Sequence, residues 1–271
     1  MTGQGQKRRR GGGRAGNVLR RGSASIEQMP WHLPVNNDSP TEPLNEEGII
    51  AIHEGAMRIL EEIGVEFLNE KALSIMKKAG CKINEQNVRM DRQFVMEMVE
   101  KAPSTFDITP RNVNRKITVG GPYILFGNVS SPPAYWDLEI SKKIPGTRAM
   151  FANFCKLSQY FNCIHFLGGY PVEPVDLHPS TRHLDAVFDK LILSDKVAHA
   201  YSLGKERVED VMEMVRIAGN LSHDEFEASP RMFTNINSTS PLKHDEPMLD
   251  GWMRLACLLY TSPSPRDCKT S

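Results

Sequence analysis

Two asparagines one residue apart, Asn235 and Asn237 in "RMFTNINSTS", stand in a run that otherwise favours a strand, and strand alternation puts both amides on one face. Paired amides on one face suit a surface that meets a ligand or water, and Ser238 follows them directly. The plainer reading is a strand end whose amides satisfy the backbone. Tyr170 in "LGGYPVEPVD" and Tyr201 in "VAHAYS" each close an apolar, β-rich run, and Asn128 closes another in "YILFGNVSS". Aromatic rings among neutral amides attract a small cation, although a Tyr that packs its ring and keeps its hydroxyl wet fits equally well. Asn128, Tyr170, Tyr201, Asn235, Asn237 and Ser238 are therefore the candidate substrate-binding residues, with Glu173, Asp176 and His199 close to them in sequence. None of them has a spacing that assigns a catalytic role.

The elements that carry these residues alternate. β-rich runs at 115–119, 123–127, 163–167, 196–202 and 231–237 are read as strands, and the last four each precede a helical pattern, at about 147–160, 180–193, 205–218 and 245–259. Strands alternating with helices of this length predict βαβ units and a parallel sheet. Four such units are half of a TIM-type (β/α)8 barrel, whose sites form at the C-terminal strand ends, where all six candidates fall. A doubly wound sheet is the alternative, but the turn "FGNVSSPPAYWD" has neither a GxGxxG nor a Walker lysine.

Ahead of the barrel, residues 29–104 read as an extended lead-in and a small helical layer. Asn45 caps a helix with Ile49, Ile52, Ala56, Ile59, Leu60 and Ile63 at helical spacing, stopped by Gly64, and further helices start at Asn69 and Asp91. Residues 1–28 read as a disordered basic arm. Lys7, Arg8, Arg9, Arg10, Arg14, Arg20 and Arg21 lie there with no acid in the first 25 residues; the whole chain has 33 basic and 33 acidic groups, so the remainder carries seven more acids than bases. Nucleic-acid binding by the arm is disfavoured because no aromatic is interleaved. The final "YTSPSPRDCKTS", residues 260–271, resembles translated adapter sequence more than protein and is expected to be a non-native tail.

No apolar run approaches the roughly 20 residues that cross a bilayer. Five cysteines without a CxxC pair predict a reducing cytoplasm rather than a disulfide framework. Cys155, Cys163 and His165 have spacings open to a metal, but they sit in apolar runs, so core thiols are the expectation and no metal site is assigned. His53, beside an apolar stripe, is expected to be packed or half-exposed rather than catalytic, and Asp245 to cap the last helix. No nucleophile elbow, HExxH helix or Ser/His/Asp order is present.

Five stretches together carry more: "MPWHLPVNNDSPTEPLNEEGIIAIHEGAMRILEEIGVEFL", "ILFGNVSSPPAYWDLEISKKIPGT", "IHFLGGYPVEPVD", "GKERVEDVMEMVRIAGN" and "NSTSPLKHDEPMLDGW". In this order, over about residues 29–259, the chain resembles the N-terminal half of the trimethylamine methyltransferase family, including relatives without pyrrolysine; the basic arm falls outside the resemblance. The resemblance implies a βα barrel that moves a methyl group from trimethylamine, or from a quaternary amine such as glycine betaine, to the Co(I) corrinoid of a partner protein. It implies no cofactor held by this chain and, at full length, a homo-oligomer. The position that holds pyrrolysine in trimethylamine-using members lies beyond residue 259, so the first half alone is expected to be inactive. A non-catalytic barrel that binds a small methylated amine is the competing reading.

Overall fold

In the computed structural model, residues 26–39 and 41–257 are described. The basic arm up to residue 25 and the tail 260–271 lie outside the described residues. Residues 26–31 fall in one unit and those from His32 onward in another.

The second unit begins with helix α1, Glu46–Arg58, which starts because the Asn45 side chain accepts a hydrogen bond from Gly48 N at 3.0 Å, with Glu46 and Glu47 in the favourable first turn. It runs into a π turn, Ile59–Ile63, and ends at Gly64, whose φ of 83° is the conformation a glycine adopts without a Cβ penalty. The helix is where periodicity put it, but its stripe is not buried: Ile49, Ile52 and Ile63 are 51, 63 and 56% exposed, and Met57 is the one buried residue of α1. The Asn45 cap favours this helix, whereas its two glycines and three isoleucines do not, and its apolar stripe is left uncovered by the described residues.

The expected helical layer is a mixed α/β unit. Between and after the helices run β1 (Val65–Phe67), α2 (Glu70–Lys78), β2 (Lys82–Asn84), β3 (Asn87–Arg89) and α3 (Arg92–Glu100). Three-residue strands are too short for alternation to register, which is why the sequence pattern passed over them. Strands β2 and β3 form a hairpin, and β3 pairs antiparallel with β1. The fourth strand comes from far along the chain. Two antiparallel pairs follow: β4 (Thr105–Ile108) with β5 (Ile117–Gly120), and β6 (Ala134–Asp137) with β7 (Lys142–Pro145). The run at 115–119 thus belongs to a hairpin-like pair outside the parallel sheet.

That sheet contains β8 (Phe166–Leu167), β9 (Val197–His199) and β10 (Met232–Phe233), in the order β10-β9-β8, all parallel. Gly127 makes a parallel bridge to Phe166, so the run at 123–127 lies beside β8 although one bridge is all that it contributes there. The connections carry helices α4 (Arg148–Tyr160), α5 (Arg182–Leu193), α6 (Lys205–Ala218) and the short α7 (His223–Glu227). Leu167, Ala198 and Met232 share a register row, and Leu167 and Met232 pack under these helices with Phe151, Ala186, Val211 and Val215. The opposite face is aromatic: the ring centroids of Phe166 and Phe233 are 5.1 Å apart, and those of His199 and Phe233 are 5.0 Å apart. The strand at 231–237 stops at Phe233, so Asn235 and Asn237 lie beyond it and the shared-strand-face argument for them does not hold.

After β10 the chain returns to the first sheet. β11 (Lys243–His244) pairs parallel with β1, Glu66 opposite Lys243 and Phe67 opposite His244, and α8 (Glu246–Ala256) places Leu249 in the core of Val65, Phe67 and Val88. Asn69, the cap of α2, also donates to Asp250 on α8 at 2.9 Å. α8 starts as expected from Asp245, whose carboxylate accepts from Met248 N at 2.9 Å. An Asp245→Ala substitution is expected to remove this cap and lower unfolding free energy by about 1 kcal/mol, read as an earlier midpoint in urea with unchanged slope.

Candidate functional site

Three loops meet where the parallel strands end, and one hydroxyl joins them. Tyr201, two residues past β9, places its Oη 2.8 Å from Ser130 Oγ, in hydrogen-bond contact with Ser131 Oγ, and 3.2 Å from the Tyr170 backbone N, which donates to it. Ser131 N in turn donates to Tyr170 O at 2.6 Å. The Asn128 amide closes the same corner by donating to Gly168 O at 3.1 Å and accepting from Gly168 N at 3.1 Å. So close an approach requires Gly169, which has φ 60° and whose absent Cβ would overlap Ser130 Oγ and the Tyr201 hydroxyl.

Beneath this corner is a buried polar layer. The Tyr170 and Tyr201 rings meet edge to face at 4.7 Å, and His199 meets Tyr201 at 5.0 Å. Lys190, on the face of α5 that carries Ala186 and Val187, is 1% exposed; its Nζ donates to His199 O at 3.0 Å and lies 5.0 Å from the centre of the Tyr170 ring. Burial pushes the Lys190 amine down to about 7 and the Cys155 thiol up to about 12. The His199 ring is 2% exposed, and neither nitrogen has a hydrogen-bond partner. Burial first, and the neighbouring Lys190 second, hold its pKa near 3, so the imidazole is neutral at ordinary pH. Burial also raises the Tyr170 phenol well above its usual range.

This layer forms the floor of a cavity of about 270 Å³ between the ends of β8 and β9 and the first turns of α5 and α6. Tyr170, Tyr201 and His199 line it from the strands, and Glu173, Arg182 and Arg207 from the loops and helices. Arg182 Nη1 donates to Glu173 Oε1 at 2.7 Å and Nη2 to Leu177 O at 2.9 Å, while its Nε is buried without a partner. His183 contacts Asp210 through Nε2 at 2.8 Å.

Of the six sequence candidates, Tyr170 and Tyr201 come together on one cavity. Asn128 stands behind them as a loop clasp and lines a separate, more apolar cleft with Tyr135 and Trp136. Asn235, Asn237 and Ser238 are exposed, and they do not line the cavity. Asp176 accepts from Arg148 N at 2.9 Å at the start of α4, away from this cavity's lining. The three residues weighed for a metal go separate ways: Cys155 is buried in the core and Cys163 is exposed. His165 Nδ1 accepts from Phe126 N at 2.9 Å and its Nε2 lies 3.0 Å from His32 O, so both ring nitrogens meet backbone. Sequence reasoning missed Arg182, Arg207 and Lys190. Lys190 left a signal, a lysine on the apolar face of "HLDAVFDKLIL", whereas the two arginines look like ordinary first-turn residues.

The sequence profile described as "Trimethylamine methyltransferase (MTTB)" matches residues 9–259. The match starts inside the basic arm, which corrects the expectation that the arm lies wholly outside the resemblance. The glycine betaine methyltransferase of Desulfitobacterium hafniense (strain Y51) is 35% identical over 213 residues, covering 79% of this chain and 44% of that protein. Trimethylamine methyltransferase MttB of Desulfitobacterium hafniense (strain DSM 10664 / DCB-2) is 25% identical over 206 residues, 73% of this chain and 40% of that protein. A proline betaine:corrinoid methyltransferase of Eubacterium limosum is 39% identical over 66 residues, 24% of this chain and 14% of that protein. The chain thus spans less than half the length of the curated relatives it matches. No helix among the described residues is long and apolar enough to cross a membrane.

Two outcomes follow from the geometry. Gly169→Ala is expected to destabilise by at least about 1–2 kcal/mol, the cost of a left-handed non-glycine residue before any overlap with Ser130 and Tyr201, measured by thermal or urea unfolding. The His199 pKa falls from 6.5 unfolded to about 3 folded, so between those values the unfolded chain binds the extra proton and stability falls with acidification. The His199→Phe variant should therefore lose stability less steeply between pH 6.5 and 4, by up to about 1.4 kcal/mol per pH unit, in urea titrations across that range.

Proposed function

The chain belongs to the trimethylamine methyltransferase family, and on that footing we propose that it forms the first part of a methyltransferase that takes a methyl group from a methylated amine and passes it to the corrinoid of a partner protein. The observation that carries the reading is the convergence of Tyr170, Tyr201 and neutral His199 on one cavity at the C-terminal ends of parallel strands, where a βα architecture builds its sites. The sequential parallel order from Gly127 through β8 and β9 to β10, with helices in the connections, supports a TIM-type barrel of which these are the first four units.

In this reading the chain's residues bind and orient. The Tyr201 ring forms the wall for the methylated nitrogen, because one side of the Tyr170 ring already faces Lys190 Nζ at 5.0 Å. His199, held neutral by its surroundings, adds no positive charge that would repel an ammonium. His199 packs against Phe233, and Phe233 against Phe166, so the sheet face behind the cavity's histidine is apolar. Asn235, Asn237 and Ser238, exposed in the segment after β10, are offered as outer substrate contacts, and Asn128 holds the loop that carries Ser130 and Ser131. A corrinoid carried by the partner protein would supply the Co(I) nucleophile for the methyl carbon, and the C–N electron pair would stay on a nitrogen that is already quaternary or protonated, so that a neutral amine leaves. Catalysis then rests on orienting the methyl group along the line of attack. Full-length homo-oligomers and a cytoplasmic setting complete the proposal.

The test is methyl transfer by the full-length protein to its Co(I) corrinoid partner, followed by the visible spectrum of the cobalt on adding a methylated amine. A methyl–Co(III) spectrum is expected, with Tyr201→Ala slowing its appearance at least ten-fold; substrate binding without any spectral change would instead make the chain a binding protein for methylated amines.

A further inference from the structure

The charges around the cavity cancel, with one exception set behind its wall. Arg182 and Arg207 reach it from the first turns of α5 and α6, against Glu173 and against Asp210, which lies 2.8 Å from His183 Nε2. Glu173 takes up Arg182 Nη1 at 2.7 Å. The cation left over is Lys190.

Lys190 does not line the cavity, but Tyr170 does, and Lys190 Nζ lies 5.0 Å from the centre of the Tyr170 ring. The lysine is 1% exposed, and its amine donates to a backbone atom, His199 O, at 3.0 Å. Among the described residues it has no ion pair: Asp189, beside it on α5, is turned to Arg148 on α4 at 2.8 Å, and Glu173 to Arg182. The other titratable groups that face it are Cys155 from α4, Tyr170 and Glu173 from the segment after β8, and His199 from β9. Burial holds Cys155, Tyr170 and His199 neutral at ordinary pH. Lys190, brought down to about 7 by the same burial, is the member of this layer whose charge changes there.

We propose that Lys190 is a specificity-determining residue of the site: protonated behind the Tyr170 ring it repels a cationic ligand, and deprotonated it admits one. The inference rests on the function proposed above, because it takes the ligand to be a methylated ammonium. An ammonium against the Tyr201 ring, whose centre is 4.7 Å from that of Tyr170, lies roughly 10–14 Å from Nζ. With rings and aliphatic side chains rather than water between them, two like charges at that distance weaken binding by up to about ten-fold. Proton and ligand therefore exclude each other, and a bound ammonium drives the proton off Lys190 by the same factor. A neutral amine still donates to His199 O, so the end of β9 stays in place while the charge changes.

Calorimetric titration of the full-length protein tests this with two probes: choline, and 3,3-dimethylbutanol, which has the same shape and no charge. Choline affinity is expected to rise at least about three-fold from about pH 6 to about pH 8.5, with protons released on binding near neutrality, while the alcohol shows neither effect. A loosening of the structure with pH would move both ligands alike. Lys190→Met is expected to bind choline equally across this range and to release no proton. Lys190→Gln, which keeps a donor for His199 O, is the second variant and should behave in the same way. His183 is a further titratable group on the cavity, and His183→Gln should keep the slope. A pH-independent choline affinity, a slope shared by the alcohol, a slope that follows His183 instead of Lys190, or no choline binding at either pH overturns the proposal. Lys190-dependent choline binding without methyl transfer to Co(I) would sink the methyltransferase reading and leave this one standing, whereas methyl transfer with choline binding indifferent to Lys190 does the reverse.

Discussion

The Tyr201 hydroxyl is the point on which the strand-end architecture turns. It lies within reach of two serine hydroxyls on the loop after Gly127 and accepts the Tyr170 amide from the loop after β8, while its own residue follows β9. Loops from three successive parallel strands are thereby fixed to one atom, without which short connections of this kind would sample many conformations. Gly169 is the geometric condition for that junction, since its backbone passes where a side chain would stand. The cavity below has a defined shape because its roof is tied in this way.

Charge in the same region is arranged by burial more than by pairing. Lys190, His199, Tyr170 and Cys155 share the space under the loops, and desolvation is the largest influence on each of them. Desolvation favours the neutral form of every one, so four titratable side chains coexist in a layer that would be untenable if all were charged. By contrast Arg148 on α4, which donates to Asp185 at 2.6 Å and to Asp189 at 2.8 Å on α5, uses charge openly to lock neighbouring helices. Function in the proposed sense draws on the first kind of site, and scaffold rigidity on the second.

Much of the scaffold was legible because it obeys long periods. The helices at 148–160, 182–193, 205–218 and 246–256 repeat apolar residues over three turns or more, and Asn45, Asn69, Asp91 and Asp245 announce helix starts through short polar side chains that accept backbone N–H groups. What escaped notice has no such period. β1, β2, β3 and β11 are two or three residues long, and the pairing of β1 with β11 joins positions that nothing local connects. Of the site, Tyr170 and Tyr201 were legible from their place at strand ends. Arg182 and Arg207 were not, because a first-turn arginine looks alike whether it faces solvent or a cavity; only the fold decides. Asn235 and Asn237 show the opposite failure, where alternation was extended past the residue at which the strand stops.

The parallel pairing of Phe67 with His244 has a consequence in time. A chain synthesised from its N-terminus makes the β2–β3 hairpin and β1 early, yet the strand that completes their sheet, and the Leu249 that fills its core, are translated some 180 residues later. At about 5–20 residues per second, that interval is roughly 10–35 s. Throughout it, one edge of β1 has open hydrogen-bonding groups, and Val65, Phe67 and Val88 lack their cover from α8. The nascent chain therefore passes through a stage with an unpaired strand edge, when a ribosome-bound chaperone has the most to protect.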